Sequence, residues 1–474
     1  MANLLSSLRS TSSALSALQE GLLISQNNVT NANTRGYARQ TLALSANDFD
    51  PSGGLTGGVS VAGIRSSRDS FAEYGVRREL SLQADAQQDA TQLSWIETAV
   101  DLNDSAGVSR AMDRLFKTFQ SWTIAPNSLS EKENVLAAAG DLAISFNRTA
   151  QSLEQLAEET KLQIGETVDE INNLTALVRN YNHDRRNGGA TDAGLEARIY
   201  NTLEELSELA NVKAVWLEDG TVTVLAAGEA PLVVGEQTFE LKLDFVHADS
   251  TPTYPDALPA AKLTGAAGND VTGFLNSGKL GALLRLRNQT LPGYLGSTDN
   301  EGDLNRLARQ FADRVNTIMA DGRPAPASGH HMFEYGSTPV TAAATLRVRD
   351  AMTPAVLSAS DPSSNPAVVN GKASRLADLA RPTANADKID GLSYMSWFGK
   401  LSAQAGRHLD EARQEAESRS LTVAQAQSVR DKLSGVSLDE EALKLVELQR
   451  AYQANARVVT VLDELTQITI NLGR

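Results

Sequence analysis

The chain has 474 residues, of which 41% are apolar, 21% charged and 5% aromatic; it has no cysteine and carries a net charge of −15. That length predicts about three domains at roughly 150 residues each, and the lack of cysteine excludes disulfides, thiolate metal sites and cysteine nucleophiles. The acidic balance argues against nucleic-acid binding, since the longest basic clusters are the pairs Arg77-Arg78 and Arg185-Arg186. No apolar run reaches the length of a membrane span, and Met1-Ala2-Asn3-Leu4-Leu5-Ser6 has neither the basic region nor the apolar block of a cleaved signal.

Residues 4 to 29 carry Leu4, Leu8, Thr11, Leu15, Leu18, Leu22, Ser25 and Val29 at alternating steps of four and three, a heptad seam. It stops in the Asn-rich stretch that ends at Gly36. Glycine pairs at 53–54 and 57–58 bracket an extended segment. Ser70-Phe71-Ala72-Glu73 has capping-box spacing and predicts a helix of about 30 residues; Ser128-Leu129-Ser130-Glu131 predicts another of about 50. Between 212 and 246 the period changes to two, with Glu218-Asp219-Gly220 as a turn and Phe239-Glu240-Leu241-Lys242-Leu243 as a strand.

Helix returns at Gly278 to Gln289 and at Asp299 to Met319. Ten of the 14 prolines fall at 252–259 and 324–382, which marks irregular or β-rich insertions. Proline-free helix follows from about Asp387 to Leu433. The last helix is capped by Ser437 with Glu440, and its seam runs Ala451, Ala454, Val458, Val461, Leu465, Ile468, Leu472, widened by Leu445, Leu448, Tyr452, Val459 and Leu462. A helix as long as the first cannot stand alone in water, so its seam needs a partner, and the other terminal seam is the natural one. Residues 1–40 carry +2 and residues 437–474 carry −2, which favours that pairing.

Catalytic chemistry finds no foothold. Gly273-Phe274-Leu275-Asn276-Ser277-Gly278-Lys279 has the spacing of a phosphate loop, but Leu280 stands where the Mg²⁺-binding hydroxyl belongs, so a glycine turn is the better reading. The histidines 183, 247, 330, 331 and 408 lack metal-site spacing. Asp439-Glu440-Glu441 sits in a first helical turn, where carboxylates complement the helix dipole. The chain is read as non-enzymatic, with no catalytic residue, metal or cofactor.

Two motifs at opposite ends carry a resemblance. The stretch from Ser25-Gln26-Asn27-Asn28-Val29 through Asn31-Ala32-Asn33-Thr34-Arg35-Gly36-Tyr37-Ala38-Arg39-Gln40 is similar to the N-terminal signature of bacterial flagellar rod, hook and hook-associated proteins. Ser434-Gly435-Val436-Ser437-Leu438-Asp439-Glu440-Glu441, with Gln449-Arg450-Ala451-Tyr452-Gln453-Ala454-Asn455, resembles their C-terminal one. Gly36-Tyr37-Ala38-Arg39-Gln40 and Leu438-Asp439-Glu440-Glu441 most resemble the hook-associated members, and the likeness extends over most of the chain. Two departures stand out. Leu195-Glu196-Ala197-Arg198-Ile199-Tyr200 replaces an Asp-Gln-Arg-Asp stretch, and the chain passes almost directly from Met332-Phe333 to Thr345-Leu346-Arg347-Val348, where longer relatives insert an outer β domain.

The resemblance implies a structural subunit of the bacterial flagellum at the hook–filament junction, exported without a cleaved signal and located outside the cell. Its implied partners are copies of itself in a helical ring, the hook protein, a second junction protein and an export chaperone on the C-terminal helix, with neither nucleic acid nor membrane. It also implies terminal segments that are disordered in the monomer and order on assembly. The alternatives are another flagellar axial protein or, in a different class, a surface adhesin on a helical stalk.

The expected fold is mainly α, with long helices, terminal coiled-coil segments and a small antiparallel β insertion. Residues 1–65 and 436–474 form the terminal coiled-coil domain. Residues 66–211, 276–322 and 370–435 form a helical rod-like domain, 212–275 a small β-rich domain, and 323–369 a loop-rich remnant of an outer domain. The expected assembly interface is Leu4, Leu8, Leu15, Leu18, Leu22, Val29, Leu448, Tyr452, Val458, Val461, Leu465, Ile468 and Leu472. The family-motif positions are Asn27, Asn28, Asn31, Asn33, Thr34, Gly36, Tyr37, Arg39, Gln40, Leu438, Asp439, Glu440, Gln449, Tyr452, Gln453 and Asn455, with the polar 25–40 loop expected to set the contact to a neighbouring subunit.

Overall fold

The computed structural model describes residues 2–50, 55–101, 107–189, 192–247, 252–320, 331–361, 366 and 368–472. It is mainly α, with small antiparallel sheets. Helix α1 (Ala2–Thr30) is followed by an antiparallel hairpin, β1 (Gln40–Ala46) with β4 (Val59–Ser66), whose tip holds the short pair β2 (Phe49–Asp50) and β3 (Leu55–Thr56). The extended segment expected between the glycine pairs is the short strand β3, Leu55–Thr56, with Gly53 and Gly54 outside the described residues.

Helix α2 (Ser70–Ala99) begins where the sequence places it, but its cap is Asp69 rather than Ser70: the Asp69 carboxylate accepts from the Ala72 amide. A carboxylate at that position also complements the helix dipole, so it outcompetes the neighbouring hydroxyl. Helix α3 (Val108–Ile124) leads to α4 (Leu129–Asp184), whose Ser128 hydroxyl does accept from the Glu131 amide. At 56 residues, α4 is about 84 Å long, and its buried face serves two cores in succession.

The first core joins α3 and the front of α4 to α7 (Leu291–Leu295), α8 (Asp303–Met319), α10 (Gly371–Asp378) and the start of α11 (Tyr394–Ser434). At its centre Phe311 meets Phe116 and Tyr394 edge-on, at 6.1 and 5.3 Å. The described part of the expected loop-rich remnant contributes here. Met332, Phe333, Leu346, Met352 and Leu357 are buried in this core, carried on or beside β11 (Phe333–Glu334), α9 (Ala342–Thr345) and β12 (Arg347–Val348). The Asn316 amide grips both backbone groups of Phe333, each at 2.9 Å. An amide that satisfies donor and acceptor together lets an irregular segment be buried without orphaned polar groups.

The second core packs the rear of α4 and α5 (Ala193–Leu209) against an antiparallel sheet of β5 (Val212–Trp216), β6 (Val222–Ala226), β7 (Ala230–Val234) and β8 (Gln237–Thr238), with the hairpin of β9 (Lys242–Val246) and β10 (Ala260–Thr264) beside it. Asp219 and Gly220 make the expected turn; Gly220 has φ +80° and the Asp219 carboxylate accepts from the Thr221 amide. The strand expected over 239–243 is broken. Asn172 of α4 takes both backbone groups of Leu241, which pulls the chain out of the ladder before β9.

The phosphate-loop-like stretch is a packing turn into α6 (Gly278–Arg285). Gly278 has φ +77°, and a Cβ there would lie 2.7 Å from the backbone of Leu209 and Ala210. The helix expected from Asp387 starts at Tyr394 instead. Positive φ at Asp390 (+48°) and Gly391 (+80°) breaks the chain, and the Ser393 hydroxyl then caps the Ser396 amide. His330 lies outside the described residues, and among the described residues no group of three metal-binding side chains occurs. Nor is any described helix long and apolar enough to cross a membrane.

Candidate assembly interface

Helix α12 (Leu438–Leu472) lies antiparallel to α1, so that Ser25 meets Glu441, Gly21 meets Leu448 and Gln19 donates to the Tyr452 hydroxyl at 3.1 Å. The termini implied to be disordered in the monomer are thus helical and packed on each other. The close approach belongs to small residues. Ala17 and Ser25 are buried, Leu448 lies 3.4 Å from where a Gly21 Cβ would sit, and with Ala14 and Asn28 these residues line a cavity of about 310 Å³ between α1, α12 and the β1–β4 hairpin. The seam expected from sequence includes Ser25 and the motif includes Asn28, but Ala14, Ala17 and Gly21 went unmarked, although the spacing of 14, 17, 21, 25 and 28 is itself helical.

Against that geometry the expected interface residues divide. Leu8, Leu15, Leu18 and Leu22 are half-buried, as are Leu448 and Tyr452, while Val29 is exposed. The side chains of Leu4 and Leu472 lie outside the described residues. Val458, Val461, Leu465 and Ile468 are 46–54% exposed. Their steps of three and four form an a/d stripe that the described residues leave half-exposed. Leu445, Val459 and Leu462 are half-buried instead, so the apolar surface of α12 is split into one covered and one open face.

The Asn-rich motif forms a joint. Asn28 donates to the Gln40 carbonyl and accepts from the Gln40 amide, both at 2.9 Å, and its Oδ1 also accepts from the Tyr37 hydroxyl. Asn31 donates to Asn27, and Thr34 donates to Asn31, closing the helix end. Gly36 turns the chain with φ +70° against Asn201, whose side chain donates to the Arg35 carbonyl. Asn33 is exposed, as are Leu438, Asp439, Gln449 and Gln453; Asn455 donates to the Ala451 carbonyl.

Charge holds this joint to the rest of the molecule. Arg39 pairs with Glu441 at 2.7 Å and with Glu440 at 3.0 Å, and its amide donates to the Ser434 carbonyl at the end of α11. Arg68 pairs with Glu73 and Glu196, donates to the Gly36 carbonyl and stacks on the Tyr200 ring at 3.8 Å. Glu204 bridges Arg35 and Arg430. Burial, reinforced by the Glu441 carboxylate, pushes the Tyr37 phenol up to about 12, and burial does the same to Tyr200. Tyr37 is thus held neutral as it donates to Asn28. Glu196 and Tyr200 come from the segment in which this chain departs from its resemblance, and the sequence offered no signal that α5 would meet the motif.

Residues 93–333, just over half the chain, match the family described as the flagellar hook-associated protein FlgK helical domain. The chain belongs to the flagellar hook-associated protein FlgK family. Residues 431–472 also match the C-terminal region of the flagellar basal body rod FlgEFG proteins. Flagellar hook-associated protein 1 of Bacillus subtilis is 25% identical over 97% of this chain and 96% of its own length. Its counterparts in Salmonella typhimurium and Escherichia coli are 28% and 27% identical over 69% of this chain, and the match spans only 58% and 60% of their lengths. A solved structure, the flagellar hook junction protein FlgK from Burkholderia pseudomallei, aligns with TM-score 0.46 and 24% identity over 55% of this chain and 46% of that one.

Proposed function

We propose that the chain is a structural subunit that joins flagellar hook to filament, and that it assembles through the open face of α12 together with the leucines of α1. The observation that carries this reading is the half-exposed a/d stripe of Val458, Val461, Leu465 and Ile468. Burying a large aliphatic side chain fully is worth about 1.5–3 kcal/mol, so covering four half-exposed ones yields on the order of 4 kcal/mol per copy. Repeated around a ring, that adds a favourable term at every contact between copies, against an association cost of about 4–15 kcal/mol that other contacts must help to offset.

On this reading the copies form a helical ring outside the cell, flanked by the hook protein and a second junction protein, after export without a cleaved signal. An export chaperone would take the same α12 stripe in its groove before export, since an amphipathic helix presents one apolar face to one partner at a time. The terminal helices and hairpin form the inner domain, the two cores form the rod-like and β-rich domains, and catalysis plays no part. Deleting residues 437–474 tests the proposal. A truncated chain absent from purified flagella supports it; a truncated chain that still sits at the junction and supports filament growth overturns it.

A further inference from the structure

The face of α2 opposite its buried side presents Phe71, 83% exposed, with Tyr74 and Arg78 at the following helical positions. Beside them lies a cavity of about 250 Å³ lined by Tyr74, Arg77, Arg78 and Lys213, with no carboxylate on its wall. Arg77 is only 6% exposed, yet its Nη1 has no hydrogen-bond partner. Arg78 leans on Glu79 at 3.3 Å. In a chain of net charge −15, the exposed Arg78 and Lys213 beside exposed aromatics, with the buried Arg77 behind them near Glu73 and Glu204, form a basic surface suited to a carboxylate-bearing partner.

The complement is on another element of the same chain. The exposed face of α4 carries Glu154, Glu158, Glu166, Asp169 and Glu170 around Leu162, which is 62% exposed. Among these acids, only Glu158 pairs with a cation among the described residues, with Lys161 at 3.1 Å. We propose that the Phe71–Tyr74–Arg78 face of one copy docks on the acidic α4 stripe of the next, a lateral contact between rod-like domains that supplements the terminal helices. This inference rests on the assembly reading above. Two different faces of one chain make a head-to-tail contact, the kind that propagates around a ring rather than closing a dimer. Leu162 covers the aromatics and the carboxylates face the guanidinium groups. Each acidic copy thereby offers its neighbour a site of opposite sign.

Cross-linking in the assembled organelle tests the contact, because the chain has no cysteine of its own. Cells expressing Y74C/L162C are treated with a short bismaleimide, and purified flagella are blotted for the protein. The expected result is a ladder of dimers, trimers and higher species, with neither single variant cross-linking. Monomer alone in flagella that contain the double variant overturns the lateral contact and leaves the assembly reading intact. Absence of the unmodified protein from flagella overturns both. If the cysteine pair itself blocks incorporation, charge reversal decides. R78E/K213E and E166K/E170K should each lower incorporation at least tenfold, and their combination in one chain should restore it; no restoration overturns the contact.

Discussion

Arg39 and Glu441 stand 402 positions apart in the chain and 2.7 Å apart in the fold. The Glu441 side chain is 1% exposed and also accepts from the Ser25 hydroxyl, so one carboxylate ties α1, the motif loop and the first turn of α12 together. Removing Arg39 leaves that charge buried with a hydroxyl alone. R39A should therefore cost about 2–4 kcal/mol at the joint. Limited proteolysis should cleave first near residue 437 in the variant and not in the wild type. An unchanged cleavage pattern would show that the pair holds nothing.

Asn28 uses donor and acceptor together on the Gln40 backbone. N28A loses both bonds and strands buried peptide groups, at about 1–3 kcal/mol each way it is counted. N28D keeps the acceptor and loses the donor, so it should fall between. Amide exchange in β1 and β4 is the readout: exchange accelerates in N28A, less in N28D, while the sheet of β5–β8 stays protected. Equal acceleration in both sheets would mean a global rather than a local effect.

Gly278 has no room for a side chain and no favourable conformation for one. G278A should destabilise the second core by about 1–3 kcal/mol through strain at positive φ and the clash with Leu209–Ala210. Denaturant unfolding checks this. A midpoint equal to wild type would mean that the turn relaxes freely.

Asp85 shares Arg285 with Asp89 between α2 and α6, and burial, offset only in part by Arg285, pushes its carboxyl up from 3.8 to about 6. The folded state thus holds a proton that the unfolded chain has released between those values. The contribution of this group to stability is complete below about pH 4, is lost as pH rises through about 6, and is flat beyond. D85N should remove that slope, giving a flatter stability profile between pH 4 and 6. Parallel profiles for variant and wild type would contradict the assignment.

The long helices were legible because their apolar residues recur at helical spacing and their caps lie in plain view, as Ser128 and Ser437 do. The terminal pairing was legible too, from seams too long to stand alone. The role of each seam position was less so. Ala17 and Gly21 stand outside the leucine seam, yet smallness there is what lets Leu448 of α12 approach, and Val458 and Val461 of the expected seam stay exposed. Contacts such as Asn201 on Arg35 or Asn316 on Phe333 depend on polar side chains meeting backbone groups far along the chain. Periodicity is blind to those, and the same blindness hid the burial of residues 332–357.

The half-exposed stripe of α12 decides the case most directly. V458S/V461S/L465S/I468S removes it and leaves Leu448 and Tyr452, which meet α1, in place. The purified variant should remain monomeric and unfold within about 2 °C of wild type, because exposed positions contribute little to the isolated fold, and it should be missing from purified flagella. A variant that enters the hook–filament junction at wild-type level would contradict assembly through this stripe.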